Sequence, residues 1–221
     1  QAAGNNDIEL LLAVSVVSVV VVQMRENDPS TADIRRPSRR FRLKKTVALV
    51  GMMGSGKTAV GRAVALKMGV PFLDSDAEIE AAANLSVPEI FQRDGEEFFR
   101  KRESEVIRRL LESQSGILST GGGAFLAQVN RDNIAAKGVA LWLDAPLDLL
   151  WQRVRHKNSR PFLRTSTPRA TLGEIFEVRT PIYRLAELRV ACAHDLSIEA
   201  MAERVIDTLL TRPDVLEEYY D

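Results

Sequence analysis

The stretch Gly51-Met52-Met53-Gly54-Ser55-Gly56-Lys57-Thr58 limits what this chain can fold into more than any other part of it. It satisfies G-x-x-x-x-G-K-[ST] at every fixed position, a pattern that has physical content only between a strand and a helix. Both flanks meet that condition. Thr46-Val47-Ala48-Leu49-Val50 is a short apolar, β-branched run that predicts a buried strand. From Ala59 to Met68 the apolar residues recur three and four apart, as on one face of a helix. Glycines let the backbone turn tightly enough to aim successive N–H groups at phosphate oxygens, and a helix start adds partial positive charge. The segment predicts a site for a nucleoside triphosphate, wrapped by Gly51, Gly54, Ser55, Gly56 and Ala59. Lys57, expected at a solvent-facing position, would bridge the β- and γ-phosphates, and the Thr58 hydroxyl would ligate Mg²⁺.

At 221 residues the chain suits one α/β domain with room for an appendage. Thirty basic residues balance thirty acidic ones, so bulk electrostatics gives no argument for nucleic acid, and none is expected as a partner. Cys192 is the only cysteine, which excludes an intrachain disulfide and argues against a thiolate zinc site. His156 and His194 are the only histidines. The expected metal is therefore Mg²⁺ arriving with ATP.

Residues 1–45 differ in character from the rest. An apolar run from Leu10 to Val22 precedes a basic arm containing Arg35, Arg36, Arg39, Arg40, Arg42, Lys44 and Lys45. Asp7 and Glu9 stand where a secretory signal needs positive charge, and the run is shorter than the roughly 20 residues of a membrane span. No membrane association is expected, and the location is expected to be cytoplasmic. A signal anchor, with the basic arm as its cytoplasmic flank, is the competing reading. Residues 1–45 are expected to lie outside the fold as extension and linker, 46–211 to form the domain, and 212–221 to be an acidic tail.

From Thr46 onward strands and helices alternate, which predicts a three-layer α/β fold with a parallel sheet covered on both faces. Five strands are expected, at Thr46–Val50, Pro71–Leu73, Gly116–Ser119, Val139–Leu143 and Leu188–Ala191. Residues 155–171 are polar and show no apolar period, which predicts a mobile lid. In such sheets ligands collect beyond the carboxyl ends of the strands. The phosphate loop, Asp74, Asp76, Gly121-Gly122-Gly123 and Asp144 all fall there. Asp74 and Asp76 are two apart, so an extended strand would point both the same way, one to support Mg²⁺ and one to take a proton from an acceptor hydroxyl. Helix capping before Ala77 is the alternative for the pair, with Asp76 able to combine both roles, and capping of the next helix is expected of Asp144. The triple glycine offers backbone N–H groups with no side chains in the way.

Arg100, Arg160 and Arg184 complete a set that resembles a known family. Residues 46–210 are similar to the shikimate kinases, within the nucleoside monophosphate kinase-like P-loop fold. The likeness rests on the phosphate loop, on Leu73-Asp74-Ser75-Asp76, and on Asp94-Gly95-Glu96-Glu97-Phe98-Phe99-Arg100. It rests further on Gly121-Gly122-Gly123, Ser159-Arg160-Pro161-Phe162-Leu163, and Arg179-Thr180-Pro181-Ile182-Tyr183-Arg184. The resemblance implies an enzyme that phosphorylates the 3-hydroxyl of shikimate with ATP, on the route to chorismate and aromatic amino acids. By position it implies Asp76 as base, Asp74 beside Mg²⁺, and Arg100 and Arg184 on the substrate carboxylate. It also implies that Gly121, Gly122 and Gly123 line the substrate pocket, that Arg160 meets the transferring phosphate, and that Arg153 lies against adenine. A monomer is expected. The competing readings are another small-metabolite kinase of this fold, such as a gluconate kinase, and an ATP-binding module without turnover.

Overall fold

The computed structural model describes residues 39–156 and 165–220. Chain order gives β1 (Arg39–Leu43), β2 (Thr46–Val50), α1 (Lys57–Met68), β3 (Phe72–Asp74), α2 (Ser75–Ala83) and α3 (Val87–Ser113). There follow β4 (Ile117–Ser119), a 3₁₀ turn at Ala124–Leu126, α4 (Gln128–Lys137), β5 (Gly138–Asp144) and α5 (Leu147–Val154). The chain closes with α6 (Pro168–Tyr183), β6 (Leu188–Ala191), α7 (Ile198–Leu210) and β7 (Leu216–Tyr220).

Five strands form one parallel sheet in the order β3-β4-β2-β5-β6, as the alternation predicts. Every residue of β2 is buried, and so are the first six of β5. Such continuous apolar strands survive only in a sheet covered on both faces. Helix α1 packs on α7, while α3 packs on α2 and α4. The central position of β2 matters for the site, because the phosphate loop leaves its carboxyl end.

Local chemistry sets several boundaries where the sequence places them. Ser86 and Glu89 form a capping box at the start of α3, the Glu89 carboxylate accepting from the Ser86 N–H at 2.7 Å. Gly95 interrupts α3 with φ 84°, so the two helices read from the sequence run on as one kinked element. Asp144 departs from expectation. It does not cap α5, whose N-terminus has no side-chain cap; it accepts from Arg189 Nε at 2.8 Å on the adjacent strand β6.

The domain edges depart as well. Part of the expected linker is β1, and part of the expected tail is β7; they pair antiparallel from Arg39↔Tyr220 to Leu43↔Leu216. Val215 and Leu216 are fully buried in the main core, with Phe41 and Leu43 packed against it. Ion pairs edge the pairing: Arg39 with Glu218 and Glu203, Lys44 with Glu217 at 2.9 Å, and Lys45 with Asp214 at 2.8 Å. Such exposed pairs contribute little each, so apolar burial carries the clasp. The expected 46–211 domain is too narrow at both ends. Residues 1–38 of the expected extension and residues 157–164 of the expected lid, with Arg160, lie outside the described residues. Among the described residues no helix is long and apolar enough to cross a membrane.

The clasp generates a prediction. A chain starting at Thr46 loses the partner of β7 and exposes Leu216 and its neighbours, at a cost of about 3 kcal/mol. Its thermal midpoint should lie about 6–12 °C below that of a chain starting at Arg39. Equal midpoints in calorimetry would show that β1 contributes nothing.

Candidate active site

The phosphate loop bends through three glycines with positive φ: Gly51 at 137°, Gly54 at 83° and Gly56 at 100°. A Cβ at Gly51 would lie 2.8 Å from the Leu143 carbonyl, so the loop also needs glycine there for space. Lys57 is not solvent-facing as expected. It is 8% exposed, and its ammonium donates to the carbonyls of Gly51 at 2.8 Å and Met52 at 3.1 Å. These bonds hold the charge on the loop itself. Arg153 Nη1 donates to the carbonyls of Gly54 and Ser55, each at 3.2 Å, which braces the loop from α5.

This loop floors a cavity of about 560 Å³, walled by α7 residues Ile198 and Met201 and by Arg153 and Cys192. Burial pushes the Cys192 thiol up to about 11, so it lines the wall as a neutral group. A second cavity of about 540 Å³ lies between α2, α3 and the triple glycine, and Arg100, Glu103 and Arg179 are in its lining. Met53, Thr58, Asp76 and Gly122 line both cavities. The two spaces therefore meet at a phosphate-loop threonine and a carboxylate.

The aspartate pair is not the extended pair the spacing suggests. β3 ends at Asp74 and α2 begins at Ser75, so Asp76 stands in the first helical turn. Asp74, not Asp76, is the cap: its Oδ1 accepts from the N–H groups of Asp76 at 3.1 Å and Ala77 at 3.2 Å. Its other oxygen, Oδ2, accepts from Thr58 Oγ1 at 3.3 Å, and Thr58 Oγ1 is 3.1 Å from Ser119 Oγ. Three hard oxygens at one point fit Mg²⁺. Among the described residues no group of three or more His, Cys, Asp or Glu side chains could hold a metal, so phosphate and water oxygens would have to complete its shell. Asp76 Oδ1 is buried without a partner at the junction of the cavities. Burial raises its pKa, the Asp74 charge adds to the rise, and Lys57 opposes it.

Arg100 leaves α3 into the second cavity, its guanidinium 5.7 Å from the Phe91 ring centroid and 5.4 Å from that of Phe99. It donates from Nη1 to Glu103 at 2.9 Å and from Nη2 to Glu96 at 3.1 Å. The second arginine of this cavity is Arg179, not Arg184. Arg184 follows the end of α6, is exposed, and is absent from the lining. Tyr183 is 1% exposed and donates its hydroxyl proton to the Gly122 carbonyl. The signal was present: Arg179 and Tyr183 are four apart, on one helix face, whereas Arg184 is turned well away.

Sequence reasoning missed Glu103 altogether, although its i, i+3 spacing from Arg100 is visible. It is fully buried, and its Oε1 has no partner. Burial raises its pKa from 4.5 to about 7, against the opposing Arg100 charge. Between those values the folded chain keeps a proton that the unfolded chain releases, so stability falls as pH rises from about 4.5 to about 7. At 1.36 kcal/mol per pKa unit the loss is roughly 3 kcal/mol once complete. Glu103→Gln leaves Arg100 an oxygen acceptor but removes this titration. Its stability relative to the parent chain should therefore rise by roughly that amount between pH 4.5 and pH 8 in urea unfolding; parallel curves would contradict it.

With this geometry in place, comparison with known proteins is specific. The family model for shikimate kinase matches residues 53–210. The shikimate kinase of Ruegeria pomeroyi is 63% identical over 175 residues, covering 79% of this chain and 90% of that protein. That of Cereibacter sphaeroides is 55% identical over 193 residues, covering 84% and 96%. The solved structure of the Acinetobacter baumannii shikimate kinase in complex with shikimate superposes with a TM-score of 0.72 at 34% identity, covering 76% of this chain and 93% of that one. The chain belongs to the shikimate kinase family.

Proposed function

We propose that the chain transfers the γ-phosphoryl group of ATP to the 3-hydroxyl of shikimate, with ATP in the phosphate-loop cavity and shikimate in the second. Family membership carries the shikimate kinase activity itself, in the pathway to aromatic amino acids. The junction of the two cavities at Thr58 and Asp76 is the observation that supports the finer reading, because a donor in one and an acceptor in the other would meet there.

The residues divide the work. Backbone N–H groups of the loop and the Lys57 ammonium hold the phosphates, and Arg153 braces that loop from the adenine side. Thr58 and Asp74 Oδ2 would hold Mg²⁺, which when bound neutralises phosphate charge. Asp76 Oδ1 accepts the proton of the 3-hydroxyl as its oxygen bonds to phosphorus and the bond to the β-phosphate oxygen breaks, releasing ADP. Arg160, carried by the lid segment, would add charge at the transferring phosphate. Arg100 and Arg179 supply planar forks for the shikimate carboxylate. The rest is positioning and charge stabilisation with no covalent intermediate. We further propose a monomer working in the cytoplasm.

A coupled ATPase assay tests the acceptor: turnover should appear with shikimate and be absent with gluconate, and the reverse would overturn the assignment. Arg100→Met and Arg179→Met should each lower kcat/KM for shikimate by at least about 30-fold, the low end for leaving a buried charge unpaired. The KM for ATP should change far less. Arg184→Met should cost less than about three-fold, in keeping with an exposed side chain. A larger loss at Arg184 than at Arg179 would return the carboxylate contact to the C-terminal end of α6.

A further inference from the structure

The glycines after β4 are not explained by backbone conformation. Among the described residues positive φ occurs at other glycines, and Gly123 has φ −100° and ψ −10°, which any residue adopts. Nor are their N–H groups all offered to a ligand, since that of Gly121 donates to Ser75 Oγ at 3.3 Å. What sets them apart is space. A Cβ on Gly123 would lie 2.6 Å from both Cζ and Nη1 of Arg100. One on Gly121 would lie 2.6 Å from Glu103 Oε1 and 2.8 Å from Asp76 Oδ1. On Gly122 the nearest atom would be the Met53 backbone nitrogen at 3.4 Å, an ordinary contact. The room beside the two outer glycines is filled by the charged ends of the side chains that line the acceptor cavity.

We propose that Gly121 and Gly123 are positioning residues that work by lacking a side chain: Gly123 seats the Arg100 guanidinium, and Gly121 seats the carboxylates of Glu103 and Asp76. The role assigned to these three charges rests on the acceptor reading given above. Arg100 has the Phe91 and Phe99 rings within 6 Å and carboxylates of Glu96 and Glu103 at its nitrogens. With those contacts in place, the Gly123 backbone is the close wall that fixes how deep the guanidinium sits. A methyl group there meets only the far end of a long side chain, which can swing away. The fold therefore tolerates the methyl, whereas the geometry of the carboxylate clamp does not. At Gly121 the neighbours include a fully buried carboxylate and the proposed base, so a methyl displaces the group that takes the proton. The two glycines thus act on different steps, one on acceptor binding and one on chemistry.

A double-mutant cycle separates this from a general structural role. Gly123→Ala should lower kcat/KM for shikimate by about ten-fold or more, chiefly through KM, with the KM for ATP within about two-fold and the unfolding midpoint unchanged or higher. In an Arg100→Ala chain the seat is already empty, so adding Gly123→Ala should cost less than about two-fold. Gly121→Ala should instead lower kcat, and its effect should shrink in a Glu103→Ala chain, where one of the two displaced groups is gone. Wild-type turnover of shikimate in the same assay reports on the acceptor assignment independently of the cycle. Equal losses from Gly123→Ala in the parent and Arg100→Ala chains would overturn the seating role, as would an unchanged KM for shikimate in Gly123→Ala.

Discussion

A carboxylate taken out of water must be paired or must hold a proton, and Glu103 is poised between the two outcomes. It is fully buried, one oxygen accepts from Arg100 at 2.9 Å, and the other has no partner. The pair anchors an arginine that would otherwise be a long, freely rotating side chain at the rim of a cavity. Pre-organising the guanidinium in this way removes an entropic cost that substrate binding would otherwise meet. The same constraint explains how the second cavity holds so many charges at close quarters: Arg100 lies between Glu96 and Glu103, and the Asp76 charge is offset by Lys57 and Arg100.

The nucleotide side solves the matching problem for a cation. Lys57 is buried beside the Gly51 and Met52 carbonyls, which accept hydrogen bonds from its ammonium. The loop around it turns through Gly51, Gly54 and Gly56, all at positive φ. Because β2 is the middle strand, with β4 and β5 on either side, the loop, Ser119 and the triple glycine come to one end of the sheet within reach of Asp74. Topology thereby brings the two cavities together at the carboxyl end of the sheet, where Thr58 and Asp76 line both.

The clasp of β1 and β7 stands apart from this core. It lies outside the residues that the family model matches, yet Val215 and Leu216 are as deeply buried as the central strands. Arg39 reaches Glu203 on α7, the same carboxylate that accepts from Lys67 of α1 at 2.7 Å. Arg39 of β1 thereby joins the ion pair between the two helices that flank the phosphate-loop cavity.

The sequence alone determined the phosphate loop, the places of the five strands including β6, and the break at Gly95, because each is signalled by neighbours in the chain. Apolar period, glycine spacing and capping chemistry are local, and local signals survive in one dimension. Whatever depends on distant residues meeting was decided only by the tertiary structure. Arg39 and Glu218 are 179 positions apart, and nothing in a basic arm or an acidic tail announces that they are partner strands. The choice of Arg179 over Arg184 depended on which side of α6 faces the cavity. The triple glycine was legible as a motif, but its reason was not, since the atoms crowding it come from α2 and α3. Asp144 went to Arg189 rather than to a helix cap because β5 and β6 lie side by side. Chain order encodes which groups are available, and the free energy of burying them together decides which ones touch.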